Sequence, residues 1–261
     1  MRTVVCMKAV PSTTEVRMDP KTNTIIRDGK QSVANPFDTA ALEVALALKD
    51  QLGGTVCALS MGIPDTTRLL RDAISRGATD ALLLSDRAFA GADTLATSYA
   101  LSLGLEQLGE PADLVLCGKM AVDGDTAQIG PELGGLLGVP CVTSVSEVLE
   151  ASEHELVVRH DTDEGTEVVR VPLPAVLTVT KDVANLRMPT IAGVRAGEAA
   201  EVRVLNAEDV RAGRTRCGLD GSPTQVVRSF VPERSNEAVE VCGTAPEQAA
   251  ELVSVFEEVA R

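Results

Sequence analysis

Short apolar runs alternate with longer helix-forming stretches along the first half of this chain. Thr3 to Val10, Thr55 to Met61, Ala81 to Leu84 and Leu114 to Cys117 are runs of the length and texture of buried strands. Between them, three segments are rich in good helix formers: Thr39 to Leu52, the stretch opened by Gly62-Ile63-Pro64 and running through Arg76, and Thr94 to Leu108. Asp38 stands where the first of these helices expects its N-cap, and Gly53-Gly54 ends it. Strand, helix and strand in strict alternation, with short connections, predict a parallel sheet with right-handed crossovers. A further helix after Gln128 and a strand over Val142 to Val145 complete that pattern. Val16 to Met18 and Thr24 to Arg27, about the turn Asp19-Pro20-Lys21-Thr22-Asn23, read as a small hairpin.

After Glu147 the period changes. Glu155 to Arg159 and Glu167 to Val171 alternate apolar and charged residues around Asp163-Glu164-Gly165, the pattern of an antiparallel hairpin with one wet face. Ala175 to Val179 is again a buried strand, whereas Thr180 to Pro189 has neither period and reads as a loop. Beyond Ala196 the chain is polar and Gly-containing until a closing amphipathic helix, Pro246 to Arg261. Such a tail buries little by itself; an arm laid on a partner and a loosely packed terminus both fit it. The division expected is therefore an α/β domain over 1–195 and an arm over 196–261.

Composition narrows the class. With 4 Phe, 1 Tyr and no Trp, the core must be built from Val, Leu and Ala. A net charge of −14 argues against nucleic acid or an anionic membrane as partner. There is no apolar run of the ~18 residues that a membrane span requires. The first residues enter strand-like sequence without a signal peptide, so a cytoplasmic setting is expected. The 6 cysteines, at 6, 57, 117, 141, 217 and 242, form no metal-ligand spacing and read as reduced, mostly buried thiols. With only His154 and His160, a histidine-based triad is not expected, nor is any metal site or catalytic side chain.

The candidate chemistry lies between Asp113 and Pro140. A strand breaks at Gly118, runs through a polar loop and re-enters an apolar pattern after Gln128. Ligands of open α/β sheets bind at such strand ends, where the amides of a helix N-terminus face an anion. Gly118 and Gly124 offer close backbone approach, Gly124 also a positive φ, and Thr126 and Gln128 offer side-chain donors. Asp123 and Asp125 suit a turn cap or ribose hydroxyls better than a phosphate. An ordinary βα loop has the same outline.

Two stretches, Asn35-Pro36-Phe37-Asp38 and Glu167-Val-Val-Arg-Val-Pro-Leu-Pro-Ala-Val-Leu-Thr178, together resemble the small (beta) subunit of electron-transferring flavoproteins. The likeness extends over nearly the whole chain, with Asp161 to Gly165 one residue longer than the family pattern. It implies a Rossmann-like parallel sheet of the adenine-nucleotide alpha-hydrolase type, with an antiparallel hairpin and an extended C-terminal arm packed on a larger alpha subunit. The nucleotide is then expected against Cys6, the turn Asn35, Pro36, Phe37 and Asp38, Met61, and the loop Gly118, Lys119, Met120, Ala121, Val122, Asp123, Gly124, Asp125, Thr126, Ala127, Gln128 and Ile129. The 181–190 segment corresponds to the loop that docks on partner dehydrogenases, with Val183 or Leu186 in place of the family's anchoring leucine.

Ser85 to Ser98, Asp123 to Pro131 and Gly221 to Phe230 are similar to electron-bifurcating members. That branch implies FAD in this subunit, NADH as hydride donor, and electrons divided between ferredoxin or flavodoxin and a dehydrogenase. Small Gly124, Thr126 and Ala127 leave room for the dinucleotide, Phe37 is placed to pack near the flavin ring, and Arg87 and Phe89 either close over the flavin or form a surface loop with one buried ring. The other branch carries structural AMP here and takes electrons from acyl-CoA-type dehydrogenases. A nucleotide-binding sensor module shares the fold without needing the hairpin or the tail. A ligase or pyrophosphatase of this fold group would need an SGGxDS or HxGH motif, and neither occurs.

Overall fold

A computed structural model describes residues 1–12, 32–227 and 240–259. The strands are β1 (Arg2–Cys6), β2 (Ala9–Pro11), β3 (Ser32–Ala34), β4 (Thr55–Met61), β5 (Asp80–Leu84), β6 (Leu114–Gly118), β7 (Cys141–Ala151), β8 (Glu155–Thr162), β9 (Gly165–Pro172), β10 (Ala175–Val179) and β11 (Arg203–Leu205). The α-helices are α1 (Pro36–Leu52), α2 (Thr67–Arg76), α3 (Thr94–Glu106), α4 (Ile129–Leu137), α5 (Ile191–Ala199) and α6 (Ala245–Val259). Nine strands form one sheet in the order β11-β5-β4-β1-β6-β10-β7-β8-β9. All its pairings are parallel except β7–β8 and β8–β9. The expected α/β sheet with an antiparallel hairpin is thus what forms, and the hairpin continues the sheet.

The central strands are apolar without alternation because helices cover both their faces. Val5, Val56, Ala58 and Leu83 pack with Leu42, Leu46 and Leu70 of α1 and α2. Val4, Leu59, Leu82 and Val115 pack with Leu101, Leu105 and Leu133 of α3 and α4. The largest fully buried side chains are leucines, each stabilising by about 1.5–3 kcal/mol on burial. β1 sits at the reversal of the winding order: β4 and β5 lie on one side, β6 and β10 on the other.

Several elements differ from expectation for identifiable reasons. The first strand stops at Cys6, and Ala9 to Pro11 pairs instead with Ser32 to Ala34 in a two-stranded antiparallel ribbon. The hairpin expected over 16–27 lies outside the described residues. α1 begins at Pro36, not Thr39, because proline's missing N–H and fixed φ suit the first helical position. Asn35 therefore holds the cap position, and Asp38, expected there, is instead buried in the first turn. β7 runs on to Ala151, past the expected end at Val145. Its residue Ser144 has φ 54° and donates its N–H to Thr178 Oγ1 at 3.0 Å, a bulge within the β10–β7 ladder. α5 was not expected, since Gly193 and Gly197 weaken its helical signal. β11 then adds to the sheet edge beside β5.

The chain divides into two compact units, Met1–Val226 and Val227–Arg261. The first therefore includes α5 and β11, which lie at or beyond the division expected at 195. In the second, α6 leaves Leu252, Val253, Val255 and Phe256 largely exposed. No helix among the described residues is long and apolar enough to cross a membrane.

Candidate nucleotide-binding site

Three neighbouring strands, β4, β1 and β6, deliver Met61, Cys6 and Gly118 to one edge of the sheet. The chain leaves β1 toward α1 on one face and leaves β6 toward α4 on the other, which opens a crevice between the two connections. The sequence-predicted residues from Cys6, Asn35 to Asp38, Met61 and 118–129 are all brought to this edge. They divide into those that build the site and those that face outward.

Asn35 is 1% exposed and its side chain makes no cap bond to α1. Its Nδ2 donates to Asp38 Oδ1 at 2.9 Å and to the Met120 carbonyl at 2.9 Å, while its Oδ1 accepts from Val122 N–H at 3.2 Å. One amide thus pairs with the 120–122 backbone as a neighbouring strand would. The Asp38 carboxylate accepts from Lys8 N–H at 2.7 Å and Gly118 N–H at 3.2 Å. Burial pushes its carboxyl up to about 7, against the downward pull of the Asn35, Lys8 and Gly118 hydrogen bonds. Gly118 is required by this proximity: a Cβ there would lie 2.4 Å from Asp38 Oδ1 and 2.5 Å from Phe37 Cβ. Phe37 is itself buried at 7% exposure.

The first half of the loop is fastened further by Lys119 N–H to the Val179 carbonyl at 2.8 Å. Lys8 Nζ pairs with Asp123 Oδ1 at 2.6 Å, across from the strand end of β1. Asp123 therefore spends charge on a lysine beside the loop. Lys8 escaped sequence reasoning, since nothing local in its sequence points to residue 123.

The second half is built differently. Asp125 and Ala127 have φ of 51° and 54°, a conformation expected at Gly124 but absent there. For alanine this costs on the order of 1–2 kcal/mol, which the surrounding structure must offset. Gln128 follows at φ −103°, ψ −26°, and α4 begins at Ile129 without a side-chain cap. A left-handed residue followed by a right-handed one turns successive N–H groups toward one point, and the first-turn amides of a helix have no intrahelical acceptor. Gly124, Asp125, Thr126 and Gln128 are exposed at this rim, and nothing lies within 4 Å of a Cβ placed on Gly124. The Thr94 hydroxyl stands 2.9 Å from both Gln128 Oε1 and Glu132 Oε1 and has one proton to give, which ties the Gln128 amide to α3 and α4.

The remaining candidates contribute differently. Cys6 is buried in the core, so it presents backbone only, and Cys117 beside it is raised by the Cys6 thiol contact and by burial. Phe89 is 4% exposed and packs in the core on the α3 side, so it forms the buried ring of a loop rather than a cover. Arg87 is exposed. That loop is pinned by Asp86, which accepts from Ala88 N–H and Ala207 N–H, and by Asp93, which accepts from Ala96 N–H and Thr224 N–H. Of the Gly221 to Phe230 stretch, residues 228–230 lie outside the described residues.

In the 181–190 segment, Val183 and Leu186 pack inward against the core and are not the outward apolar groups. Met188 is 83% and Ile191 79% exposed. Next to Met188 in sequence, the Arg187 guanidinium forks onto Glu43 at 2.8–3.1 Å and reaches Asp50 Oδ2 at 2.8 Å. Arg187 N–H also donates to Glu43 Oε2 at 2.9 Å, and Arg76 Nη1 donates to the Arg187 carbonyl at 2.6 Å. α5 then lies directly on α2, where a Cβ at Gly193 would come 2.1 Å from the Ser75 carbonyl oxygen. Among the described residues no cluster of His, Cys, Asp or Glu is arranged to hold a metal ion.

Comparison with known proteins agrees with the fold. A family model described as "Electron transfer flavoprotein domain" matches residues 22–210. The chain is 42% identical over 260 residues to the caffeyl-CoA reductase–Etf complex subunit CarD of Acetobacterium woodii, covering 99% of this chain and 98% of that protein. It is 42% identical over 258 residues to the electron transfer flavoprotein subunit beta of Clostridium acetobutylicum, with the same coverage of 99% and 98%. It is 39% identical over 248 residues to protein FixA of Azotobacter vinelandii, covering 92% of this chain and 88% of that protein.

Proposed function

Because this chain belongs to the electron transfer flavoprotein family as a beta subunit, we propose that it pairs with an alpha subunit and holds FAD at the strand-end crevice. In this reading it accepts hydride from NADH and serves flavin-based electron bifurcation, with ferredoxin or flavodoxin as low-potential acceptor and a dehydrogenase as the other. The observation that carries the proposal is the 124–128 rim. Positive φ at Asp125 and Ala127, the uncapped start of α4 and the open space around Gly124 fit a pyrophosphate and leave room for a dinucleotide. The naming of CarD as part of an Etf complex with a reductase supports a redox partner of the same kind.

A flavin held here would supply the two-electron chemistry itself. The chain's own tasks are binding and orientation. The 126–129 amides would meet the phosphates, Gln128 Nε2 would add a side-chain donor, and Asn35 with Asp38 would hold the 118–122 backbone in place. Asp123, paired to Lys8, adds little net charge beside the phosphates. Met188 and Ile191 would offer the apolar contact to the dehydrogenase, and α6 would lay its apolar residues on the alpha subunit.

The test is to reconstitute the heterodimer, count its nucleotides and titrate it anaerobically with NADH. Two FAD per heterodimer with prompt bleaching is the expected result. One FAD and one AMP without reaction would instead place the chain among carriers that take electrons from acyl-CoA-type dehydrogenases.

A further inference from the structure

Asp38 does not face the crevice: it is 6% exposed, and its carboxylate is met from three sides by donors alone. Oδ1 accepts from Asn35 Nδ2 and Gly118 N–H, and Oδ2 from Lys8 N–H, at 2.9, 3.2 and 2.7 Å. These donors belong to the cap of α1, the root of the nucleotide loop and the link between β1 and β2. Two donors occupy Oδ1 and one occupies Oδ2, so an added proton takes the remaining site on Oδ2, and its uptake turns three charge-assisted bonds into weaker neutral ones. The bond to Gly118, at 3.2 Å, is the longest and the one that roots the loop.

We propose that Asp38 is a positioning residue that makes nucleotide retention by the 118–128 loop depend on its ionisation: the carboxylate holds the loop root, and proton uptake loosens it. The inference rests on the nucleotide-site reading above and adds a control that neither the fold nor the family match contains. Charged or titratable groups on the elements packed against Asp38 are Lys8, Cys6, Cys117, Lys119 and Asp123. Lys8 already spends its ammonium on Asp123. The Cys117 thiol, raised by its contact with Cys6 and by burial, stays neutral across the relevant range. Asp38 is thus the group left to change charge near neutrality, where burial sets its carboxyl at about 7.

The experiment uses the heterodimer with its own alpha subunit, loaded at pH 8.5 with FAD or, separately, with AMP. Retained nucleotide and dissociation constant are then measured from pH 5.5 to 8.5. One linked proton predicts that affinity at the beta site falls toward tenfold per pH unit below the transition. Asp38→Asn, which mimics the protonated carboxyl, should bind weakly and without that pH dependence. Lys8→Met, which removes the neighbouring cation, should keep a transition.

A flat wild-type profile with nucleotide bound throughout would overturn this inference while leaving the site intact, and it needs no variant to fold. A transition that persists unchanged in Asp38→Asn, or disappears only in Lys8→Met, would overturn it as well. Binding of neither FAD nor AMP at pH 8.5 would remove the site reading itself, and this inference with it.

Discussion

The Arg187 clamp allows the coupling between α1 and the 181–190 segment to be worked out as a number. Replacing Glu43 by Gln removes the carboxylate that accepts the Nε and Nη2 fork and the Arg187 backbone N–H. Glu43 and Arg187 side chains are 15% and 32% exposed, so this pair is partly shielded from water, whereas Asp50 at 63% is not. Hydrogen bonds to charged groups contribute about 1.5–3 kcal/mol each, and exposed ion pairs about 0–1. After discounting for exposure, the Glu43–Arg187 coupling should be about 2 kcal/mol and that of Asp50 a few tenths. A double-mutant cycle of Glu43→Gln and Arg187→Met, read by thermal melting, isolates the term. In a unit of this size, ~2 kcal/mol corresponds to a Tm shift of about 4–8 °C. Trypsin gives a local readout, because Glu43→Gln keeps Arg187 as a cleavage site while loosening it. If cleavage follows local opening, nicking after Arg187 should accelerate about 30-fold, since each ~1.4 kcal/mol is a factor of ten. A coupling near zero, or unchanged nicking, would refute the claim that this clamp holds the loop.

The remaining predictions concern the site and its supports. Ala127→Gly should retain nucleotide and gain up to ~1 kcal/mol of stability from relief of the positive φ, whereas Ala127→Val should lose it; equal nucleotide content in the two would remove that backbone conformation from the site. Gly124→Ala, at an open position without positive φ, should change the melting temperature by less than a degree or two, and a large drop would contradict the geometry. Raising the Asp38 carboxyl from 3.8 to about 7 means that the native state holds its proton more tightly than the unfolded chain. Its stabilising contribution is complete below about pH 4 and is lost as pH rises through about 7, a swing of at most ~4 kcal/mol. Urea midpoints of wild type relative to Asp38→Asn should therefore fall between pH 4 and 8, and a rise would refute the assignment. Phe89→Ala should cost about 3–5 kcal/mol as a core truncation while leaving nucleotide content unchanged; loss of nucleotide at full stability would return Phe89 to the site.

Local pattern was enough for the scaffold. The ends of β4 and β10 and the start of α3 follow from apolar run length and from the run of helix formers after Thr94, because strands covered on both faces must be continuously apolar. The strand, loop and helix between Leu114 and Leu137 were legible for the same reason, and with them the place of the crevice. What the side chains do there was decided by tertiary contact. Asp38 read as a cap until Pro36 drew the helix three residues earlier and turned its carboxylate toward Gly118. Val183 or Leu186 was expected in place of the family's anchoring leucine, but both pack against the core, and Met188 and Ile191 are the exposed apolar side chains. Lys8 meets Asp123 and Thr94 meets Gln128 only because β1, α3 and the 118–128 loop converge in space. Periodicity along a chain records which residues must leave water. It carries no information about which donor, 30 to 115 residues away, will satisfy a buried acceptor, because that partner is chosen by the packing of whole elements.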